Sequence, residues 1–164
     1  MSCSHALPHR FERLQEKKLI GMKMSMSFAE NKTVQLWKIF MPRRGEIQHA
    51  IGMELYSVQI YPPSFFHPFD PETAFEKWAA KEVPDVDLIP PGMESLNIPP
   101  GLYAVFLYKG DPRDAGSFFQ NIFYEWLPVS GYVLDARPHF EILGEKYKRD
   151  DPGSEEEVWI PVTP

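Results

Sequence analysis

One carboxylate in the last third of the chain stands in an unusual setting. Glu141 is flanked by Phe140, Ile142 and Leu143, with His139 two residues before it. On an extended segment alternate side chains share a face. His139, Glu141 and Leu143 then point one way, into a presumed cleft, while Phe140 and Ile142 point the other, toward a covering helix. Two readings of Glu141 fit this pattern: a solvated glutamate on a half-wet strand, or a desolvated one in the cleft. In the second, loss of water raises its pKa unless a cation or donor pairs with it. Such a group holds a delocalised cation together with aromatic walls, or serves as a general acid or base. His139 faces the same side and lines either the cleft or its rim.

Rings for such walls are plentiful. Aromatic residues make up 14% of the chain, with four Trp, seven Tyr and twelve Phe, so stacking surfaces and a densely aromatic core are both open. Trp78 and Trp159 read equally as opposed cleft walls or as core, and Tyr56 as a further wall. Trp37 and Trp126 sit on helical segments and read as core. Five scattered histidines and a single cysteine make no zinc-ligand spacing. There is no glycine-rich phosphate loop and no G-x-S-x-G elbow. No metal or cofactor is expected.

The elements that must position these residues follow from periodicity and proline. Ile20, Met22, Met24 and Met26 alternate with Gly21, Lys23 and Ser25, a strand within an extended stretch from Phe11 to Ser27. Asn31 to Phe40 switches to helical spacing, with Val34, Leu36, Trp37, Phe40 and Met41 on one side, closed by Pro42. Glu54–Tyr61 has strand chemistry and stops at Pro62-Pro63. Phe75–Val83 fits strand or short helix. An acidic, proline-bounded linker covers 84–92. Met93–Lys109 is extended around Pro99-Pro100. A helix over Asp114–Leu127 has Asp114 as N-cap and Pro128 as its end. Strands follow around His139–Leu143 and over Glu157–Val162.

This order repeats. Glu12 and Leu14 match Glu94 and Leu96, 82 apart; Leu36-Trp37 and Phe40 to Pro42 match Ile122-Phe123 and Trp126 to Pro128, 86 apart. Glu76 and Trp78 match Glu157 and Trp159, 81 apart. The repeat assigns Phe75–Val83 to a strand and gives each half the order strand, helix, strand, strand. One repeat spans about 11–83 and the other 93–162. Two such halves about a pseudo-two-fold axis make a curved antiparallel sheet, each helix on the back of its own half, with the bare faces bounding a cleft.

Composition narrows the class of function. A net charge of -6 and a pI near 5.4 argue against direct nucleic-acid binding, which draws on a basic surface. The longest apolar run, Leu102–Tyr108, is far below the ~20 residues a membrane helix needs. The N-terminus has no apolar signal region, and Cys3 alone cannot form an internal disulfide, which fits a reducing compartment. A single cytoplasmic unit is expected.

The segments GLYAVFLYKG (Gly101–Gly110), FYEWLPVSGYVLDARPHFEIL (Phe123–Leu143) and EEEVWIPV (Glu155–Val162) resemble the GyrI-like small-molecule-binding domain. That domain is also the effector-binding domain of AraC-type and MerR-type transcription activators. The resemblance covers 93–162 well and 11–83 as a more divergent first repeat. It implies an α+β fold of two tandem βαββ units around a central ligand cavity. It implies that Glu141 takes the place of the acid that meets cationic drugs in multidrug-binding members, and that Phe118 falls near an aromatic pocket position. Leu143 stands where such members often carry tyrosine, and Glu156 or Glu157 where an aromatic can occur. The resemblance begins near Phe11 and leaves no space for a helix-turn-helix unit, so a stand-alone effector-binding domain is expected.

The preferred expectation is therefore binding of a small molecule, hydrophobic and either cationic or neutral, at Glu141, with Phe118, Tyr56, Trp78, Tyr103, Trp159 and His139 around it. Two alternatives are carried. One is a hydrolase of electrophilic small molecules using Glu141 with Tyr103, Tyr56 or Tyr147. The other is a protein-interaction module whose partner is gyrase or a transcription regulator.

Overall fold

The computed structural model of the chain describes residues 7–66 and 68–164; Cys3, His5 and His67 lie outside the described residues. The strands are β1 (Arg10–Leu14), β2 (Lys17–Met26), β3 (Leu55–Ile60), β4 (Phe75–Val83), β5 (Glu94–Ile98), β6 (Gly101–Lys109), β7 (Val133–Leu134), β8 (His139–Leu143) and β9 (Glu155–Thr163). Helix α1 (Thr33–Phe40) runs on into a 3-10 turn, Met41–Glu46. Helix α2 consists of three abutting segments, Gly116–Gln120, Asn121–Trp126 and Leu127–Ser130. The fold is α+β: two βαββ repeats joined in one antiparallel sheet of order β1-β6-β9-β8-β3-β4-β2-β5, with β7 against β9. No helix among the described residues is long and apolar enough to cross a membrane.

Strand register makes the pseudo-symmetry concrete. Val58 lies opposite Trp78 in the first repeat, and Phe140 opposite Trp159 in the second. Each tryptophan donates its indole N–H to the glutamate two residues before it, Glu76 at 2.7 Å and Glu157 at 3.1 Å. Each ring also carries a cation on its face, Lys23 over Trp78 and Arg10 over Trp159. The Glu-x-Trp match in the sequence is thus a repeated structural unit.

The strand links decide the sheet's curvature. β1 sits at one end of the sheet and β2 near the other, yet only Gln15 and Glu16 join them. Two residues reach about 10 Å at most, so the sheet must curl until its ends approach. Pro99-Pro100 imposes the same constraint between β5 and β6. Pairing runs from Arg10↔Val105 to Leu14↔Gly101 and resumes in the same register at Lys17↔Ile98. Gly21 sits where β2 meets both β4 and β5, and any side chain there would run into the carbonyl of Ala79 and the body of Ala80.

Curling closes the helix-free face on itself. Leu19, Tyr56, Val58, Trp78, Tyr103, Val105, Phe140 and Trp159 fill its concave interior, and Phe140 stacks on Trp159 with centroids 5.2 Å apart. The expected orientation of β8 is therefore reversed. Phe140 belongs to the barrel-like interior, with Ile142 packed against it, while His139 and Glu141 lie on the face that carries the helices. The alternation was right, but the bare faces are consumed by closure.

On the convex face α1 covers β2 and β4 through Leu36 and Phe40. Val34 stays exposed, outside the apolar stripe expected of it. Helix α2 covers β6 and β9, with Ile122 buried against Phe106, Val158 and Ile160. Its start differs from expectation: Asp111, not Asp114, caps the opening 3-10 turn by accepting from the Arg113 N–H at 2.9 Å. Nor does Pro128 end it. The π-helical segment Asn121–Trp126 precedes that proline, and the wider turn accommodates its ring and missing N–H. The helix ends at Gly131, which takes the left-handed conformation at φ 82°.

Candidate functional site

Because α1 covers one half of the sheet and α2 the other, the two central strands are left uncovered by either helix. β3 and β8 pair along the seam as Ser57↔Glu141 and Gln59↔His139. All four of these residues point to the helix-bearing side, and all four are polar. A floor that served only to pack would carry the Val, Ile or Phe found one position away. Glu141 is 7% exposed and Gln59 6%, so this row is shielded from water.

Aromatic rings from the flanking loop and from α2 provide the cover. Tyr61 follows β3 and meets the His139 ring edge-on at 4.9 Å. Phe66 stacks on Phe123 of α2 with centroids 4.7 Å apart. Phe65, Phe69 and Phe75 extend this cluster on the α1 side. The rings bridge the groove between the helices and close it over the polar row.

Beneath the cover, Glu141 is held by neighbouring strands. Gln59 donates Nε2–H to Glu141 Oε1 at 3.0 Å, Ser57 is a further hydrogen-bond partner, and Lys77 Nζ of β4 approaches to 4.0 Å. Burial pushes the Glu141 carboxyl above the usual range, opposed by Lys77, Gln59 and Ser57. Burial likewise pulls the Lys77 ammonium down, opposed by Glu141 and Glu156. Glu156, on β9, is pushed up to about 8 by burial and by the nearby Glu141 charge. His139 is driven down to about 3 by burial and by Arg137, so it is a neutral ring at ordinary pH. Burial raises the Tyr61 hydroxyl, with Glu141 adding to the effect.

The structure gathers only part of the set expected from sequence. Glu141 and His139 meet on the seam. Phe118 lies on the same side of the sheet but packs against Tyr108 and Phe106 within the second repeat. Tyr56, Trp78, Tyr103 and Trp159 lie on the opposite face, in the concave interior. There the Tyr103 hydroxyl donates to the Pro138 carbonyl at 2.8 Å and the Tyr56 hydroxyl to Glu82 at 3.1 Å. The sheet separates both tyrosines from Glu141.

Sequence reasoning missed Ser57, Gln59, Lys77 and the covering rings Tyr61, Phe66 and Phe123. A signal for Gln59 was present: it lies 82 residues before Glu141, the spacing of the repeat. Two described cavities, of about 350 Å3 and 450 Å3, lie away from Glu141. The first is beside Arg137 and Gly101, the second beside Glu156 and Tyr56.

Comparison with known proteins fits this architecture. The chain is 28% identical over 146 residues to the transcriptional regulator BrlR of Pseudomonas aeruginosa, covering 88% of this chain and 51% of BrlR. It thus spans about half the length of that curated relative. Among solved structures, SAV2435 bound to tetraphenylphosphonium superposes with a TM-score of 0.72 at 15% identity, covering 94% of this chain and 93% of the other. The EcmrR–DNA complex superposes with a TM-score of 0.66 at 15% identity, over 93% of this chain and 56% of EcmrR. At such identities the likeness is one of fold. The model of the GyrI-like small molecule binding domain matches residues 7–163, and with nearly the whole chain accounted for, the protein belongs to that family.

Proposed function

We propose that the domain binds a hydrophobic, cationic small molecule in the groove between α1 and α2, with Glu141 as the charge partner. The observation that carries this reading is a buried carboxylate on the seam of the repeats, roofed by rings, whose nearest cation stands 4.0 Å away. A lipophilic cation entering there displaces Phe66 and Tyr61 from the groove, exchanges their ring contacts for its own and takes up the Glu141 charge. A cation over a desolvated ring gains about 2 kcal/mol, and a direct carboxylate contact adds to that. Tetraphenylphosphonium, the ligand named for the similarly folded SAV2435, is of this chemical type. The likeness to BrlR supports an effector-sensing role within transcriptional regulation.

Titration of a panel of lipophilic cations against wild type and Glu141→Gln tests the reading. At least a tenfold loss of affinity, about 1.4 kcal/mol, is expected in the variant. Equal affinities would remove the role assigned to Glu141.

A further inference from the structure

β1 stands at one end of the sheet and pairs with β6 alone, so among the described residues no strand covers its outer edge. An open edge presents backbone N–H and C=O groups ready to bond another strand. Phe11, Glu12 and Arg13 are exposed along it. Phe11 lies opposite Ala104, on the helix-bearing face, and keeps 42% of its surface open to water. Its ring stacks on Tyr132 with centroids 4.9 Å apart and lies 6.2 Å from Trp126. Leu7, just before β1, and Val129 and Val133, on either side of Tyr132, are exposed as well. An open strand edge beside exposed apolar and aromatic side chains has the make-up of an interface.

We propose that this edge joins two copies of the chain, their β1 strands pairing antiparallel about a two-fold axis at Phe11. The sequence of the strand selects a second copy over another partner. With Phe11 opposite Phe11, each Arg10 faces Glu12 of the other copy, and the contact occurs twice. Arg10 lies opposite Val105, whose side chain fills the concave interior, and alternation puts Glu12 on that same face. A strand carrying one sign of charge would satisfy one of these two residues and oppose the other.

Charge also fixes the register. Centring the pair on Glu12 would set Glu12 against Glu12 and Phe11 against Arg13, a like-charge contact in place of two opposite ones. Arg10 already bonds Glu12 and Glu157 of its own chain, each at 3.0 Å, so the second Glu12 meets a guanidinium that is held in position. Pro8 has no N–H to donate, and the pairing runs from His9 to Arg13. On the helix-bearing face the two Phe11 rings meet, each backed by Tyr132 of its own copy.

Sedimentation velocity of the full chain over a concentration series is expected to show a reversible monomer–dimer equilibrium. Glu12→Arg and Arg10→Glu each place like charges opposite one another. Both variants, with their fold checked by circular dichroism, are expected to dimerise about tenfold more weakly. An equimolar mixture of the two restores the opposite-charge contacts and is expected to dimerise as wild type does. Phe11→Asp, which leaves Arg10 and its contacts in place, is expected to be monomeric. A wild type that stays monomeric, a folded variant that dimerises as well as wild type, or a mixture of folded variants that does not dimerise would each overturn the proposal.

Discussion

Gln59 and Glu141 occupy corresponding places in the two repeats and meet across the seam, the amide donating to the carboxylate at 3.0 Å. The pseudo-symmetry brings these positions together, and the difference between amide and acid makes the contact favourable. Two carboxylates at this distance could not both ionise. Gln59→Glu is therefore expected to make one proton shared across the pair and to destabilise the fold as pH rises. Thermal melts at pH 5 and pH 8 check this; a melting temperature that falls no more with pH than in wild type would contradict it.

Lys77 Nζ stands 4.0 Å from Glu141, so on the proposed reading it competes with a cationic ligand for that carboxylate. In Lys77→Met, tetraphenylphosphonium no longer faces a resident ammonium near Glu141. Its affinity at pH 8 is expected to rise by about tenfold, or 1.4 kcal/mol. Calorimetry reads the change directly, and a weaker complex would show that Lys77 helps to hold the ligand.

The pH dependence of stability has two opposed parts. His139 has a folded pKa depressed to about 3, so its contribution is present above the ordinary histidine range and is lost as pH falls below it. Glu156 has a folded pKa raised to about 8; its contribution is present at pH below the ordinary carboxyl range and is lost as pH rises through 8. Each changes stability by at most about 1.4 kcal/mol per pH unit. Glu156→Gln is expected to be more stable than wild type at pH 9, with the gap closing toward pH 5. Denaturant melts across that range test this, and a pH-independent gap would refute the assignment.

The concave interior is structural. Phe140→Ala is expected to cost about 3–5 kcal/mol in stability, since it empties the space between Tyr103 and Trp159. Trp159→Phe is expected to lower stability while leaving tetraphenylphosphonium affinity within twofold. A large affinity loss in a folded Trp159→Phe would return that residue to the ligand site.

The repeat, the succession strand, helix, strand, strand in each half and the unusual setting of Glu141 were legible in the sequence, because alternation and spacing are local properties. Which side of β8 faces the helices was not. That depends on the two-residue links Gln15-Glu16 and Pro99-Pro100, which curl the sheet and use up its bare face, so Tyr56, Trp78, Tyr103 and Trp159 became core. Ser57 and Gln59 escaped notice because a polar residue alternating with Val58 looks like any solvated strand position; only pairing with β8 makes the row continuous. Phe66 and Phe123, far apart in the chain, meet by tertiary packing alone.

The most direct test of Glu141 as the ligand's charge partner is the carboxyl signal of Glu141 in protein carrying 13C-labelled glutamate, titrated with and without saturating tetraphenylphosphonium and assigned through Glu141→Gln. A buried carboxylate that takes up a cation should ionise at lower pH in the complex, so its titration midpoint should move down. A midpoint unmoved at saturation would mean that the ligand binds elsewhere.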